Sequence, residues 1–352
     1  AAEEGLPGGL RVSVAGRSAE RYDAFAARWR GRPGGGEPPG FVKVDWADEV
    51  SVRAALQRGW SLIVHTAGPF QGVERPALLE AAVAAGVPYV DVCDDTDLCR
   101  AAKELQGDAQ RAGVPAIVSA GIWPGVSALM AGEAVDRLGG DAERVEMSFF
   151  TAGTGGAGPT IVSATFLLLA EPPLVYEGGA ARRGEAWGER QMVDFGRAVG
   201  ERPVHLLDEP EVYTLHRALG VPNIRSRFGT DPDIWNQMFA VARSLPTEVL
   251  QNRGLMQALS EFSMPIISAV DRLVGATNAM RVDAESKDGR RVTFKVVHPD
   301  LEDCVGLGTA AFALEVLLDR VPGGVWFPIE MPKHSREAVL RRARRGATLW
   351  EL

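Results

Sequence analysis

Arg17 is the first residue along this chain whose setting points to chemistry. In Ala15-Gly16-Arg17-Ser18 it follows the apolar stretch Leu10–Ala15 and heads a helical run. From that position a guanidinium binds a phosphate through two parallel N–H bonds and stacks on an adenine. The second strand of a dinucleotide-binding fold ends this way: an Asp or Glu there holds the ribose 2′-hydroxyl of NAD, and an Arg suits the 2′-phosphate of NADP. The competing reading is an ordinary surface arginine. Ser18 stands beside it to share the phosphate. Asp45, at the end of the next strand, either meets the adenine or caps the following helix.

Further along, Ala67-Gly68-Pro69-Phe70 closes an apolar strand at the carboxyl edge, where ligands bind in open α/β sheets. Glycine permits close backbone approach there and proline stiffens the loop; an ordinary strand-to-helix turn is the alternative. His65, just upstream, reads as a core histidine or as an acid–base group. Tyr89 and Asp91 alternate on one strand and so share a face. Asp91, with Asp94 and Asp95 just beyond, either orients a substrate amine or caps the next helix. Gly121-Ile122-Trp123-Pro124-Gly125 forms a turn after another short strand. The glycine-rich run Gly153–Thr160, with Gly158 and Thr160 at its end, feeds a helical segment. It is an anion site through its free N–H groups, or else a flexible loop.

Elements must position these groups. Strands over Leu10–Ala15, Phe41–Asp45, Ser61–Thr66, Tyr89–Val92 and Ala116–Ser119 alternate with helices over Ala19–Arg30, Glu49–Arg58, Arg75–Ala85 and Asp97–Ala112. That is the signature of a parallel sheet with crossover helices. After Gly125 the rhythm changes to helix Ser127–Leu138, strand Arg144–Phe150, an apolar run Ile161–Ala170, helices Ile234–Leu245 and Leu255–Leu273, and strands Met280–Ala284 and Arg291–Val297. A Lys287-Asp288-Gly289-Arg290 turn joins these last two strands. A final apolar helix spans Gly306–Asp319. The fold expected is α/β, with a Rossmann-type doubly wound parallel sheet over 1–125, an α+β substrate domain over 126–300 with antiparallel strands, and a helix and tail over 301–352 returning to the first domain. No strand and G-x-G-x-x-G loop precede Leu10, and Ala1–Gly5 reads as the end of a helix. The expectation is therefore a preceding segment of about 25–35 residues that holds both.

Composition narrows the partners. With 352 residues and 46% hydrophobic content the chain has material for two cores. A formal charge of −8 without a long basic stripe argues against a nucleic-acid surface. The cluster Arg336, Arg341, Arg342, Arg344 and Arg345 reads as a solvated helix face rather than an RNA site. Three cysteines without CxxC spacing fit a reducing intracellular compartment and no metal centre, with organelle import left open. No apolar run reaches bilayer length. The partner expected is a small-molecule substrate, and a homodimer is left open.

Taken together these motifs resemble the saccharopine dehydrogenase-like family of NADP-binding proteins. The family's "AGR", "aGPF", "YvD" and "G-x-x-P-G" segments are similar to Ala15–Arg17, Ala67–Phe70, Tyr89–Asp91 and Gly121–Gly125, and its "G-G-V-x-x-P" to Gly323–Pro328. The resemblance implies an NADP-dependent oxidoreductase that passes a hydride between nicotinamide and a C–N or C–O centre. By that resemblance Arg17 and Ser18 hold the 2′-phosphate, Gly68–Phe70 line the dinucleotide, and Gly121–Gly125 lie near the nicotinamide. Tyr89, Trp123, Gly158 and Thr160 face the substrate. Two departures are visible: the glycine fingerprint is absent, and Trp123 stands where saccharopine reductases resemble G-x-D-P-G. The indole predicts a flatter, more apolar ligand than saccharopine. A non-catalytic NADP-binding scaffold and a lyase with tightly held NADP stay open as alternatives.

Overall fold

The computed structural model describes residues 9–32, 36–67, 73–153 and 165–352. The chain begins with β1 (Ser13–Gly16), α1 (Ala19–Arg30) and β2 (Gly40–Lys43), with β2 parallel to β1. α1 starts where expected because Ser18 caps it, accepting from the Arg21 N–H at 3.2 Å. Glu20 in its first turn and Arg28 and Arg30 in its last complement the helix dipole. Next come α2 (Glu49–Leu56), β3 (Ile63–His65), α3 (Ala77–Ala84), β4 (Tyr89–Asp91), α4 (Thr96–Glu104), α5 (Gln106–Ala112) and β5 (Pro115–Ile117). The single helix expected over Asp97–Ala112 is thus two, divided at Leu105. The Gln106 side chain turns aside to accept the Val325 N–H at 2.9 Å. Gly113 closes α5 in the left-handed conformation.

The sheet is Rossmann-type and parallel, but it lies in two pieces. β1 and β2 form one, and β3, β4, β5 and the late strand β14 (Gly324–Trp326) form the other, in the order β14-β5-β4-β3. Among the described residues, β1 and β3 each leave one edge without a strand partner. Trp46, just beyond β2, packs on His65 at the end of β3 with ring centres 5.7 Å apart, so the carboxyl ends of the two pieces stand side by side. Leu10, Val12 and Val64, at 48%, 59% and 43% exposure, border one shared cavity between them.

The second unit is a nine-stranded sheet built on β6 (Ala142–Ala152), β11 (Asn223–Asp231), β12 (Thr277–Ser286) and β13 (Arg291–His298). β7 (Leu174–Glu177), β8 (Ala180–Arg183), β9 (Gln191–Asp194) and β10 (Glu201–Leu206) extend it on one side and β15 (Leu349–Glu351) on the other. The β12–β13 hairpin forms as its turn residues predict. The strands are not all antiparallel as expected: β6 and β11 pair in parallel over nine residues, which their long separation in the chain allows. α6 (Val126–Arg137) has nine of its twelve residues buried. It lies in one continuous core that holds Val90 and Ile117 of the first sheet together with Met147, Phe149 and Met280 of the second. The helix Leu301–Leu317 starts five residues before the apolar run suggests, because Asp300 caps it by accepting the Asp303 N–H at 2.8 Å. β14 then joins the first sheet and β15 the second, so the final segment is shared between them.

Candidate functional site

The parallel strands β3 and β5 both end at a cavity of about 1910 Å³ that extends to the second sheet. Ala67 borders it after β3, and the turn Gly121–Gly125 borders it after β5. That turn is tightly built. Gly121 N donates to Pro124 O at 2.9 Å, and Gly125 has φ +137. A Cβ at Gly125 would lie 2.3 Å from Gly121 O, so no other residue fits. Trp123, carried by the turn, lines the cavity and stacks on Phe149 of β6 with centres 5.2 Å apart.

The turn is held from the second unit. Glu211, on the helix Pro210–Leu219, is fully buried, and its Oε1 accepts from the Gly125 N–H at 3.0 Å and from the Ser127 hydroxyl. Burial pushes its carboxyl up to about 7, and these donors hold it from going higher. Two residues earlier, Glu209 is 4% exposed and borders the cavity, and its Oε2 has no partner among the described residues. Asp94 also borders the cavity, with Oδ1 buried and unpartnered. Burial, then Asp95 and Asp208, push Asp94 up to about 8; burial, then Asp94, Glu211 and Asp208, push Glu209 well above the usual range. Asp208 is engaged, accepting from Thr96 Oγ1 and Leu174 N at 2.7 Å each.

The residues singled out from sequence separate into three groups. His65, Tyr89 and Asp91 come together, but they enclose a small buried pocket apart from the large cavity. The Tyr89 hydroxyl meets His65 Nδ1 at 2.9 Å, and burial lowers the imidazole to about 4, so it is neutral at physiological pH. Asp91 Oδ1 accepts the Ser119 and Cys93 N–H groups at 2.8 and 3.1 Å, tying the ends of β4 and β5 together. Burial raises its carboxyl to about 6. Arg17 is exposed at the head of α1, and Ser18 serves as its cap. Asp45 accepts from Ala47 N at 3.1 Å in the turn after β2, whereas the cap of the next helix is Asp48. Ala67, Gly121 and Trp123 line the cavity. Gly68, Pro69, Phe70, Gly158 and Thr160 lie outside the described residues, as do Ala1–Gly5.

Glu209 and Glu211 went unread in the sequence. The signal was there: Asp208-Glu209-Pro210-Glu211 is an acidic run at the boundary between the apolar residues Val204–Leu207 and a helix with proline in its first turn. Among the described residues no group of three or more His, Cys, Asp or Glu is placed to hold a metal ion, and no helix is long and apolar enough to cross a membrane.

No family model matches the chain, and no curated protein matches it either. Among solved structures, apo histidine-tagged saccharopine dehydrogenase (L-Glu forming) from Saccharomyces cerevisiae aligns with a TM-score of 0.62 and 11% identity, over 98% of this chain and 94% of that one. A dehydrogenase from Thermus thermophilus in complex with NAD and UDP-GlcNAcA aligns at TM-score 0.38 and 13% identity, over 96% and 86% of the two chains. A mutant meso-DAPDH with DAP from Clostridium tetani aligns at 0.40 and 9%, over 93% and 96%. What this chain shares with the yeast enzyme at that identity is its fold: a Rossmann-type parallel sheet joined to a second α+β unit.

Proposed function

We propose that the protein is an NADP-dependent oxidoreductase of the saccharopine dehydrogenase-like type, acting on a small molecule other than saccharopine. One observation carries the reading: a large cavity lies at the carboxyl ends of parallel strands, where ligands enter folds of this kind, and a second unit closes it on the far side. A nicotinamide dinucleotide bound there would give or take a hydride. Arg17 and Ser18, at the N-terminus of a twelve-residue helix, suit its 2′-phosphate. Asp45 stands at the end of the neighbouring strand, and Ala67, Gly68, Pro69, Phe70 and Gly121 would line the dinucleotide.

Within the cavity Trp123 offers a flat apolar wall, and Asp94 and Glu209 are the carboxyl groups placed to hold or move a proton. Asp91 and His65 line a separate small pocket, apart from this cavity. Calorimetric titration of NADPH and NADH, against wild type and Arg17→Ala, tests the assignment. NADPH should bind about ten- to a hundredfold more tightly, as one charge-assisted pair predicts, and Arg17→Ala should remove the preference. Equal affinities refute NADP selectivity; absence of binding removes the cofactor. A screen of metabolites for NADPH oxidation then separates an enzyme from a binder without turnover.

A further inference from the structure

The polar end of the cavity is acidic and uncompensated. Glu209 is nine-tenths buried with Oε2 lacking a donor, and Asp94, only partly buried as a residue, has its Oδ1 buried and without a donor among the described residues. Both border the cavity. The neighbouring acids are occupied. Asp95 caps α4 through the Asp97 and Leu98 N–H groups, and Asp208 is held by Thr96, Leu174 and, at 3.6 Å, Arg183. Glu211 holds the Gly125 turn through Oε1, while its Oε2 has no partner among the described residues and, unlike Glu209, it does not line the cavity. Among the described lining residues there is no lysine, and the two arginines, Arg11 and Arg58, precede β1 and β3, at the amino ends of those strands. Trp123 stands on the wall of the turn that Glu211 anchors, two residues from Glu209.

Buried carboxyls without a counter-charge are costly. A ligand that brings a cation and N–H donors removes that cost, whereas an anion adds to it. We propose that Asp94 and Glu209 form a subsite for a protonated amine, carried on an apolar body that packs along Trp123 and bears no carboxylate beside the amine. The proposal rests on the reading of this cavity as the substrate cleft. An organic ammonium supplies both the positive charge and the N–H donors that the two carboxyl oxygens lack. The free pair is biased toward its protonated forms by burial and by Asp95, Asp208 and Glu211. Binding of an ammonium therefore expels a proton.

Isothermal titration with 2-phenylethylamine, 2-phenylethanol and 3-phenylpropionate, without nucleotide, tests this. The amine should bind at least tenfold more tightly than the alcohol and the propionate not measurably. The apparent enthalpy for the amine should change with the ionisation enthalpy of the buffer, showing proton release at pH 7. Asp94→Asn and Glu209→Gln should each lose about tenfold for the amine and nothing for the alcohol, with thermal melts confirming that both variants fold. Equal binding of amine and alcohol, both lost in Trp123→Ala, overturns the subsite and leaves the cleft standing. Binding of none of the three also overturns the subsite, and the nucleotide titration reads the cleft independently.

Discussion

Two sets of buried carboxylates in this molecule have opposite surroundings. Glu315, on the helix Leu301–Leu317, is wholly buried; its Oε1 receives Arg320 at 3.2 Å and Arg342 at 2.7 Å, so two guanidinium charges meet it although its Oε2 has no partner among the described residues. Asp94 and Glu209 also carry buried carboxyl oxygens, but these have no donor and face a cavity. The charge of Glu315 is answered from within the fold, so removing it should damage the fold. The charges of Asp94 and Glu209 are not answered, so the fold carries them as a burden. A buried ionisable group that costs stability and lines a cleft is a functional candidate for that reason.

The contrast can be broken at Glu315. Glu315→Ala leaves two arginines facing a vacated buried site and should cost about 3–5 kcal/mol, read by urea denaturation. A loss below 1 kcal/mol would show that the arginines find water instead. Glu211→Ala is intermediate: it strips a charged acceptor from Gly125 N and the Ser127 hydroxyl and should cost about 1.5–3 kcal/mol. Hydrogen exchange should quicken at Gly125 and Ser127 and not at the β12–β13 hairpin.

Asp94 should respond in the opposite direction. Its carboxyl titrates near 8 in the fold against a usual 3.8, so folding favours the protonated form. The penalty is absent below pH 3.8, grows as the pH rises between these values, and is complete above about 8. Asp94→Asn should therefore raise the melting temperature at pH 8.5 by about 1–2 °C for each kcal/mol relieved, and leave it unchanged at pH 3.5. A variant less stable than wild type at pH 8.5 would contradict an uncompensated site. The smallest effect is expected where charge meets solvent. Glu133, paired with Arg137 at 3.1 Å on the surface of α6, should cost no more than about 0.5 kcal/mol on replacement by Gln.

Much of the fold was legible in the residues. Ser18 caps α1 and Gly113 closes α5, and Lys287–Arg290 announced the hairpin, because caps and turns are decided by groups within a few positions. The alternation of strand and helix over the first 117 residues was enough for a parallel sheet. The candidate site was legible only in part. Trp123 and Gly121 do line the cavity, since a tight turn at the end of a strand has little choice of location.

Asp91 and His65 show the limit. Alternation put Tyr89 and Asp91 on one face, and they do share one. A parallel sheet is covered on both faces, however, so alternation does not tell which face opens on a cleft and which on a closed pocket. Glu209 shows it again: it meets Asp94 only because the helix Pro210–Leu219, more than a hundred residues later, packs against the end of the first sheet. By itself the sequence determined the local elements and the class of fold, since these follow from periodicity, caps and turns. Only the tertiary structure decided which carboxylates were answered by arginines and which were left facing the cavity, because burial and charge compensation depend on contacts between segments far apart in the chain.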